Sequence, residues 1–258
     1  MSRPSDYNMV EAMTELIDTI WKGAQSGEIT AELPDLEIDE GQLLQIELLG
    51  KWQSTGEHLA GYKVGLTSGA ARNAFGPGVR PFGFILESRV LQSGASLPLT
   101  RNLGVENELV FRVGKSIKAS GVNAERAREV VDGVAPGFEL NQHRLKQPGS
   151  NGIRIADNLS QWGIVVGDFQ DVDRPYEQLN VQLEKNGEIV QEVAASGHID
   201  DHFVSIAALI NRLHRFDRGL QAGELVITGS FTRATVSEPS VWCGDFAGLG
   251  KVTLEVTL

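Results

Sequence analysis

The spacing of apolar residues changes once along this chain, near residue 60, and that change limits the fold more than any other feature. Before it, apolar side chains recur at helical intervals. Ser5 precedes DYNMVEAMTELIDTIWKG, where Met9, Val10, Met13, Leu16, Ile17, Ile20 and Trp21 form one stripe, and Gly23 is placed to help end that helix. A connector containing Pro34 follows. Asp39 then reads as the N-cap of a second helix, DEGQLLQIELLGKWQSTG, which buries Leu43, Leu44, Ile46, Leu48 and Trp52. From Tyr62 onward short β-type segments dominate: GYKVGLT, PFGFILES, ENELVFRVG, GFEL, WGIVVG, NVQLEKNGEIV, GELVITGS and GLGKVTLEVTL. The Asn186-Gly187 pair inside one of them signals a type I′ hairpin. Two helical stretches interrupt the strands, around residues 124–135 and 200–216. Strands and helices do not alternate regularly, and no repeat or linker divides the chain. The expectation is an α+β fold in one continuous domain, with a helical N-terminal portion (residues 1–60) and a β-rich core (residues 61–258).

A chain of 258 residues, 41% hydrophobic and 22% charged, can bury a substantial core. Its 34 acidic residues exceed its 23 basic ones, for a formal net charge of −11. With no basic cluster, that balance argues against nucleic acid as a partner, because phosphate binding needs a basic surface. No apolar run reaches membrane-spanning length and the first residues lack a signal-peptide pattern, so a cytoplasmic protein with no membrane partner is expected. Cys243 is the sole cysteine. It excludes an internal disulfide and a cysteine-based zinc site, and is expected to be a reduced, buried thiol.

The chemistry-bearing stretch is GVENELVFRVGK. Leu109, Phe111 and Val113 alternate with other residues, as in a half-buried strand. The same period puts Glu106 and Glu108 together on the opposite face, with Cα atoms roughly 7 Å apart at about 3.3 Å per residue. On a wet face two such acids need no explanation. In a pocket their repulsion calls for a shared proton or a cation. Glu139, in GFEL, is a third carboxylate that can join them, and hard cations such as Mg²⁺ take oxygen ligands. Lys63 stands between Tyr62 and Val64, where it is either a snorkelling surface lysine or a desolvated one suited to acid–base work on an anionic substrate. His198 and His202 in GHIDDH have a metal-ligand spacing, but Asp200 and Asp201 mark a helix start between them, so the i, i+4 geometry fails. There is no phosphate-binding glycine loop and no G-x-S-x-G elbow.

Taken in order, GYKVGLTS, GVENELVFRVGKSI, VAPGFELNQHR, IADNLSQWGIVVG and LQAGELVITGSFT resemble the 2-oxopent-4-enoate hydratase and 4-oxalocrotonate decarboxylase family of the fumarylacetoacetate-hydrolase superfamily. The resemblance runs in register from about Ala12 to Leu258. It implies a mixed β-roll core with a helical N-terminal portion. It also implies Mg²⁺ or Mn²⁺ held by Glu106, Glu108 and Glu139, with Lys63 as the acid–base or substrate-binding lysine. The D-N-x-S segment, Asp157, Asn158 and Ser160, is implied to line the pocket. Ser230, Thr232 and Arg233 stand in a G-S-F-T-R form that resembles members acting on dicarboxylic substrates, with Arg233 suited to a second carboxylate.

Three segments depart from the family pattern: GPGVRPFGFI lacks the usual acid and carries Arg80, ELNQHR places Gln142 and His143 before Arg144, and ASGHIDDHF replaces a small-residue stretch. The implied activity is hydration of 2-hydroxy-2,4-dienoates or unsaturated 2-oxo acids to 4-hydroxy-2-oxo acids, in catabolism of aromatic compounds. Decarboxylation is the sister reading. An acylpyruvate hydrolase, with His58 and Glu57 as the nearest base pair, and a non-catalytic partner subunit are further alternatives. The family also implies a homo-oligomer or a complex with a paralogous member.

Overall fold

The computed structural model describes residues 6–258. Two helices come first, α1 (Asp6–Ser26) and α2 (Ile38–Ser54). The expected cap Ser5 and the side chains of Met9 and Val10 lie outside the described residues. Helix α1 passes through Gly23, whose carbonyl accepts the Gly27 N–H at 2.8 Å, and stops at Gly27, where φ is +80°. In α2 the N-cap is Glu37 rather than Asp39, and its N–H is taken up by the Glu40 carboxylate at 2.9 Å. Asp39 instead pairs with Arg212 and Arg215. Leu44, Leu48 and Trp52 are buried as expected, but Leu43 is 52% exposed, while Gln42 and Gln45 are fully enclosed. Their partners, described below, explain why amides were selected there.

The strands are β1 (Leu59–Val64), β2 (Phe82–Leu86), β3 (Val90–Gln92), β4 (Ala95–Pro98), β5 (Leu103–Val113), β6 (Val131–Gln142), β7 (Gln161–Val166), β8 (Asn180–Lys185), β9 (Glu188–Ala194), β10 (Leu225–Thr235), β11 (Ser240–Phe246) and β12 (Gly250–Thr257). Interspersed are the short helices α3 (Ala124–Arg128) and α4 (Asn151–Ala156), and the longer α5 (His202–Arg215). The helix expected over 124–135 is one turn only. Val130, Val131 and Val134 favour extended backbone, and Val131–Gln142 forms a ladder along almost the full length of β5. Strands β3, β4 and β11 and helix α4 were not foreseen, being short or weakly patterned. The I′ hairpin forms as expected, with φ of 53° at Asn186 and 84° at Gly187 joining β8 to β9.

Two mixed sheets result. One has the order β2-β1-β10-β5-β6-β7-β3 and the other β4-β12-β11-β8-β9, with parallel pairs at β1/β10, β3/β7 and β4/β12. Phe111, Val105 and Phe138 of the first sheet meet Leu183, Trp242, Phe246 and Leu254 of the second in the main core. Strand β5 is not half-buried, because every residue from Leu103 to Phe111 is enclosed. Its second face joins Ile85, Ala135, Ile164 and Ile227 through Val110 in a smaller apolar cluster. The acids Glu106 and Glu108 stand in the same row as Val110. None of the described helices is long and apolar enough to cross a membrane. Cys243, on β11, is only partly buried.

Candidate metal centre

Register brings the acids together. In the β5–β6 ladder Glu106 lies directly opposite Glu139, and Glu108 lies opposite Gly137. Like charges facing across a ladder destabilise it. All three carboxylates are 4% exposed or less, and one oxygen from each lies within 4.8 Å of the others. Burial beside Glu139 pushes the Glu108 carboxyl well above the usual carboxylate range. Burial raises Glu139 as well, against the pull of Lys63. Without a cation, Glu108 and Glu139 therefore compete to keep a proton. Three enclosed hard oxygen donors that repel one another fit a divalent cation such as Mg²⁺.

The surrounding donors fix each carboxylate. Lys63, on β1, pairs with Glu139 and also donates to the Leu159 carbonyl at 3.3 Å. The Gly229 N–H donates to Glu108 Oε2 at 2.7 Å. Gly229 sits at φ +131° in an irregular stretch of β10, and a Cβ there would collide with the Thr67 hydroxyl. Glu106 Oε1 accepts from Asn141 Nδ2 at 2.6 Å and Arg233 Nε at 2.6 Å, while Oε2 accepts from Arg233 Nη2 at 3.2 Å.

These groups open on a cavity of about 560 Å³. Among the residues expected from sequence, Lys63, Glu106, Glu108, Glu139, Ser160, Ser230 and Arg233 all line it. Ser230 Oγ lies 3.5 Å from Ser68 Oγ, also on the wall. Asp157 does not line the cavity. It is 1% exposed and bound to the equally buried Arg144, whose Nε meets Asp157 Oδ1 at 2.7 Å and whose Nη2 meets the Asp157 carbonyl at 2.7 Å. The pair anchors the segment that precedes the cavity wall.

Asn158 likewise turns away from the cavity. Its amide acts as a piece of backbone for the free edge of β2: Oδ1 accepts from Phe84 N at 2.7 Å and Nδ2 donates to Phe84 O at 2.9 Å. Gln45 Nε2 reaches Asn158 Oδ1 at 3.0 Å and Phe82 O at 2.6 Å, and Gln42 Nε2 reaches Phe82 O at 3.2 Å, which accounts for the two buried amides of α2. Clamped in this way, Asn158, Leu159 and Ser160 all take positive φ, at 55°, 51° and 62°. The turn aims the Leu159 carbonyl at Lys63 and brings Ser160 to the cavity. Thr232 is buried, and its hydroxyl has no hydrogen-bond partner among the described residues.

Sequence reading did not assign site positions to Asn141, Ser68, His143 or Arg154, all of which line the cavity. Glu139, Asn141 and His143 share one parity along β6 and its continuation, so period two could have extended the site by two residues. Burial lowers the proton affinity of His143. His198 and His202 are not a ligand pair. His202 is the first residue of α5, capped by Asp201, and its Nδ1 lies 2.8 Å from Thr228 Oγ1 in the core. Arg80 pairs with Asp200, which also holds Arg72, so neither arginine lines the cavity. His58 and Glu57 are elsewhere as well: the Glu57 carboxylate accepts from Ser88 Oγ at 2.7 Å.

A mixed-sheet scaffold that gathers three mutually repelling carboxylates around a space for a hard cation defines a class of metal-centred β-sheet proteins. More specifically, residues 62–255 match the fumarylacetoacetate (FAA) hydrolase C-terminal family, and the chain belongs to the fumarylacetoacetate hydrolase family. It is 26% identical to a 4-oxalocrotonate decarboxylase of Pseudomonas putida over 98% of both chains. Its identity to a 2-oxo-hept-4-ene-1,7-dioate hydratase of Escherichia coli is 24%, over 87% of this chain and 89% of the relative. In fold it is similar to the solved 4-oxalocrotonate decarboxylase from Pseudomonas putida G7 complexed with magnesium and adipate. That match has a TM-score of 0.87 at 20% identity and covers 99% of this chain and 100% of the other.

Proposed function

We propose that this protein is a divalent-metal-dependent lyase that hydrates 2-hydroxy-2,4-dienoates, or the unsaturated 2-oxo acids they form, to 4-hydroxy-2-oxo acids. The observation that carries this reading is the buried triad Glu106, Glu108 and Glu139, facing Lys63 at one cavity. Glu106, Glu108 and Glu139 would hold the cation. When bound, it supplies an electron sink for the carboxylate and C2 oxygen of a 2-oxo acid.

The chain's own residues do the rest. The Lys63 Nζ, positioned by Glu139 and the Leu159 carbonyl, is placed to bind the substrate carboxylate or to carry a proton at the dienoate carbons. Ser160 and Ser230 offer hydroxyls to the substrate's polar atoms or to the attacking water. Arg233 and Asn141 hold Glu106 in place, and Arg233 also balances its charge. Asp157 acts at one remove, by fixing the turn that carries Leu159 and Ser160.

Decarboxylation of a 4-oxalocrotonate-like acid is the second reading. It needs the same electron sink, and the decarboxylase of Pseudomonas putida aligns over 98% of both chains. Acylpyruvate hydrolysis loses its base here, since Glu57 is bound to Ser88 and neither Glu57 nor His58 lines the cavity. A homo-oligomer, or an assembly with a paralogous subunit, in the cytoplasm belongs to the same reading.

The test is incubation with Mg²⁺ or Mn²⁺ and a panel of 2-hydroxydienoates, 4-oxalocrotonate and acylpyruvates. Loss of dienoate absorbance with water incorporated supports hydration, and CO₂ release supports decarboxylation. Pyruvate release, or no turnover with either metal, overturns the lyase reading.

A further inference from the structure

The cations at the cavity are unequally committed. Lys63 is paired with Glu139, Arg233 with Glu106, and Lys146 with Glu28 at 2.7 Å. Arg154 alone among the arginines and lysines lining the cavity has no carboxylate partner among the described residues. It is nevertheless held in place. Its guanidinium lies over the ring of the buried Phe75, 4.8 Å from the centroid.

Its backbone is also held. The Ser150 hydroxyl caps α4 by accepting from Ile153 N at 3.3 Å and from Leu36 N at 2.9 Å. Gly152 packs backbone to backbone against Gly41 of α2, where a Cβ on either residue would collide with the other segment's backbone. Arg154 is thus a solvent-exposed guanidinium, stacked on Phe75 and carried on a fixed element, with no carboxylate partner among the described residues at the cavity that the three glutamates also line. A guanidinium free in this way matches a carboxylate bidentately.

We propose that the site takes dicarboxylic substrates, with the 2-oxo acid end at the glutamates and Lys63 and the distal carboxylate on Arg154. This rests on the lyase reading above for its chemistry. Arg233, the residue that the sequence pattern suggested for that carboxylate, is already occupied by Glu106.

The probes are 2-oxoadipate and 2-oxohexanoate, which share the 2-oxo acid end and differ in a distal carboxylate or methyl. Titration calorimetry on the Mg²⁺-loaded full chain should show 2-oxoadipate binding at least about tenfold more tightly. Arg154→Met should remove that preference and leave 2-oxohexanoate affinity unchanged, and Arg154→Lys should restore part of it. In turnover, kcat/KM for 2-hydroxyhepta-2,4-diene-1,7-dioate relative to 2-hydroxypenta-2,4-dienoate should fall by a similar factor in Arg154→Met. A wild-type protein that does not discriminate the two 2-oxo acids overturns the proposal. So does an Arg154→Met variant that weakens both equally, or a loss of preference in Lys146→Met with none in Arg154→Met. If no dienoate is turned over but the calorimetric preference disappears in Arg154→Met, the reaction class fails and the assignment of Arg154 stands.

Discussion

Replacing Asn158 with alanine should unseat the turn that builds one wall of the site. The wild-type amide satisfies both Phe84 N and Phe84 O, at 2.7 and 2.9 Å, on a residue only 3% exposed. Alanine leaves both backbone groups buried and unpaired, at about 1–3 kcal/mol each, so about 4 kcal/mol in all. Gln45 adds little to the loss, because it keeps its bond to Phe82 O at 2.6 Å. Conformation separates alanine from glycine at this position. Position 158 sits at φ 55°, where a Cβ costs about 1–2 kcal/mol and glycine costs nothing. Asn158→Gly loses the same hydrogen bonds but escapes that strain, so it should be about 1 kcal/mol less destabilised than Asn158→Ala. Urea unfolding measures both, read as a lower midpoint at unchanged slope. Activity should fall about tenfold or more even where the variants are fully folded, since the Leu159 carbonyl would no longer hold Lys63. An alanine variant within 1 kcal/mol of wild type, or a glycine variant less stable than the alanine one, would refute the account of this turn.

Lys63→Met should lower kcat/KM by at least about 100-fold on a verified substrate, the range for a positioned acid–base group, and an effect below fivefold would make Lys63 a bystander. Mg²⁺ at 100 times its dissociation constant should stabilise the fold by about 2.7 kcal/mol, visible as a raised Tm that EDTA reverses. In Glu108→Gln that Mg²⁺-dependent rise should vanish; an unchanged rise would remove Glu108 from the ligand set. Burial holds His202 neutral in the fold and lowers its pKa to about 4, against 6.5 in the unfolded chain. The unfolded state therefore takes up the proton first, and stability is lost as pH falls from about 6.5 to about 4, by about 3 kcal/mol in total. His202→Gln should flatten that acid limb in urea titrations across the window, and parallel curves for variant and wild type would discount the histidine.

The sequence by itself determined the parts of this protein that depend on local periodicity. Period two along ENELVF put Glu106 and Glu108 on one face, and the Asn186-Gly187 pair fixed a hairpin, because each follows from backbone geometry within a few residues. The α+β class and the run of β segments after Tyr62 were legible for the same reason. So was the failure of His198 and His202 as a pair, since Asp201 starts a helix between them.

What only the tertiary structure decided are the long-range pairings. The register that sets Glu139 opposite Glu106 also drew Val131–Ala135 out of an expected helix into β6, because ladder bonds to β5 outweigh a weak helical preference. Asp157 left the expected pocket for Arg144, 13 residues away in sequence. Gln42 and Gln45 took core positions on α2 because the free edge of β2 needs polar partners there. The commitment of Arg233 to Glu106, which leaves Arg154 without a carboxylate, is likewise a matter of which charges arrive at one cavity. No local pattern records it, because electrostatic pairing depends on distance in space and not on spacing along the chain.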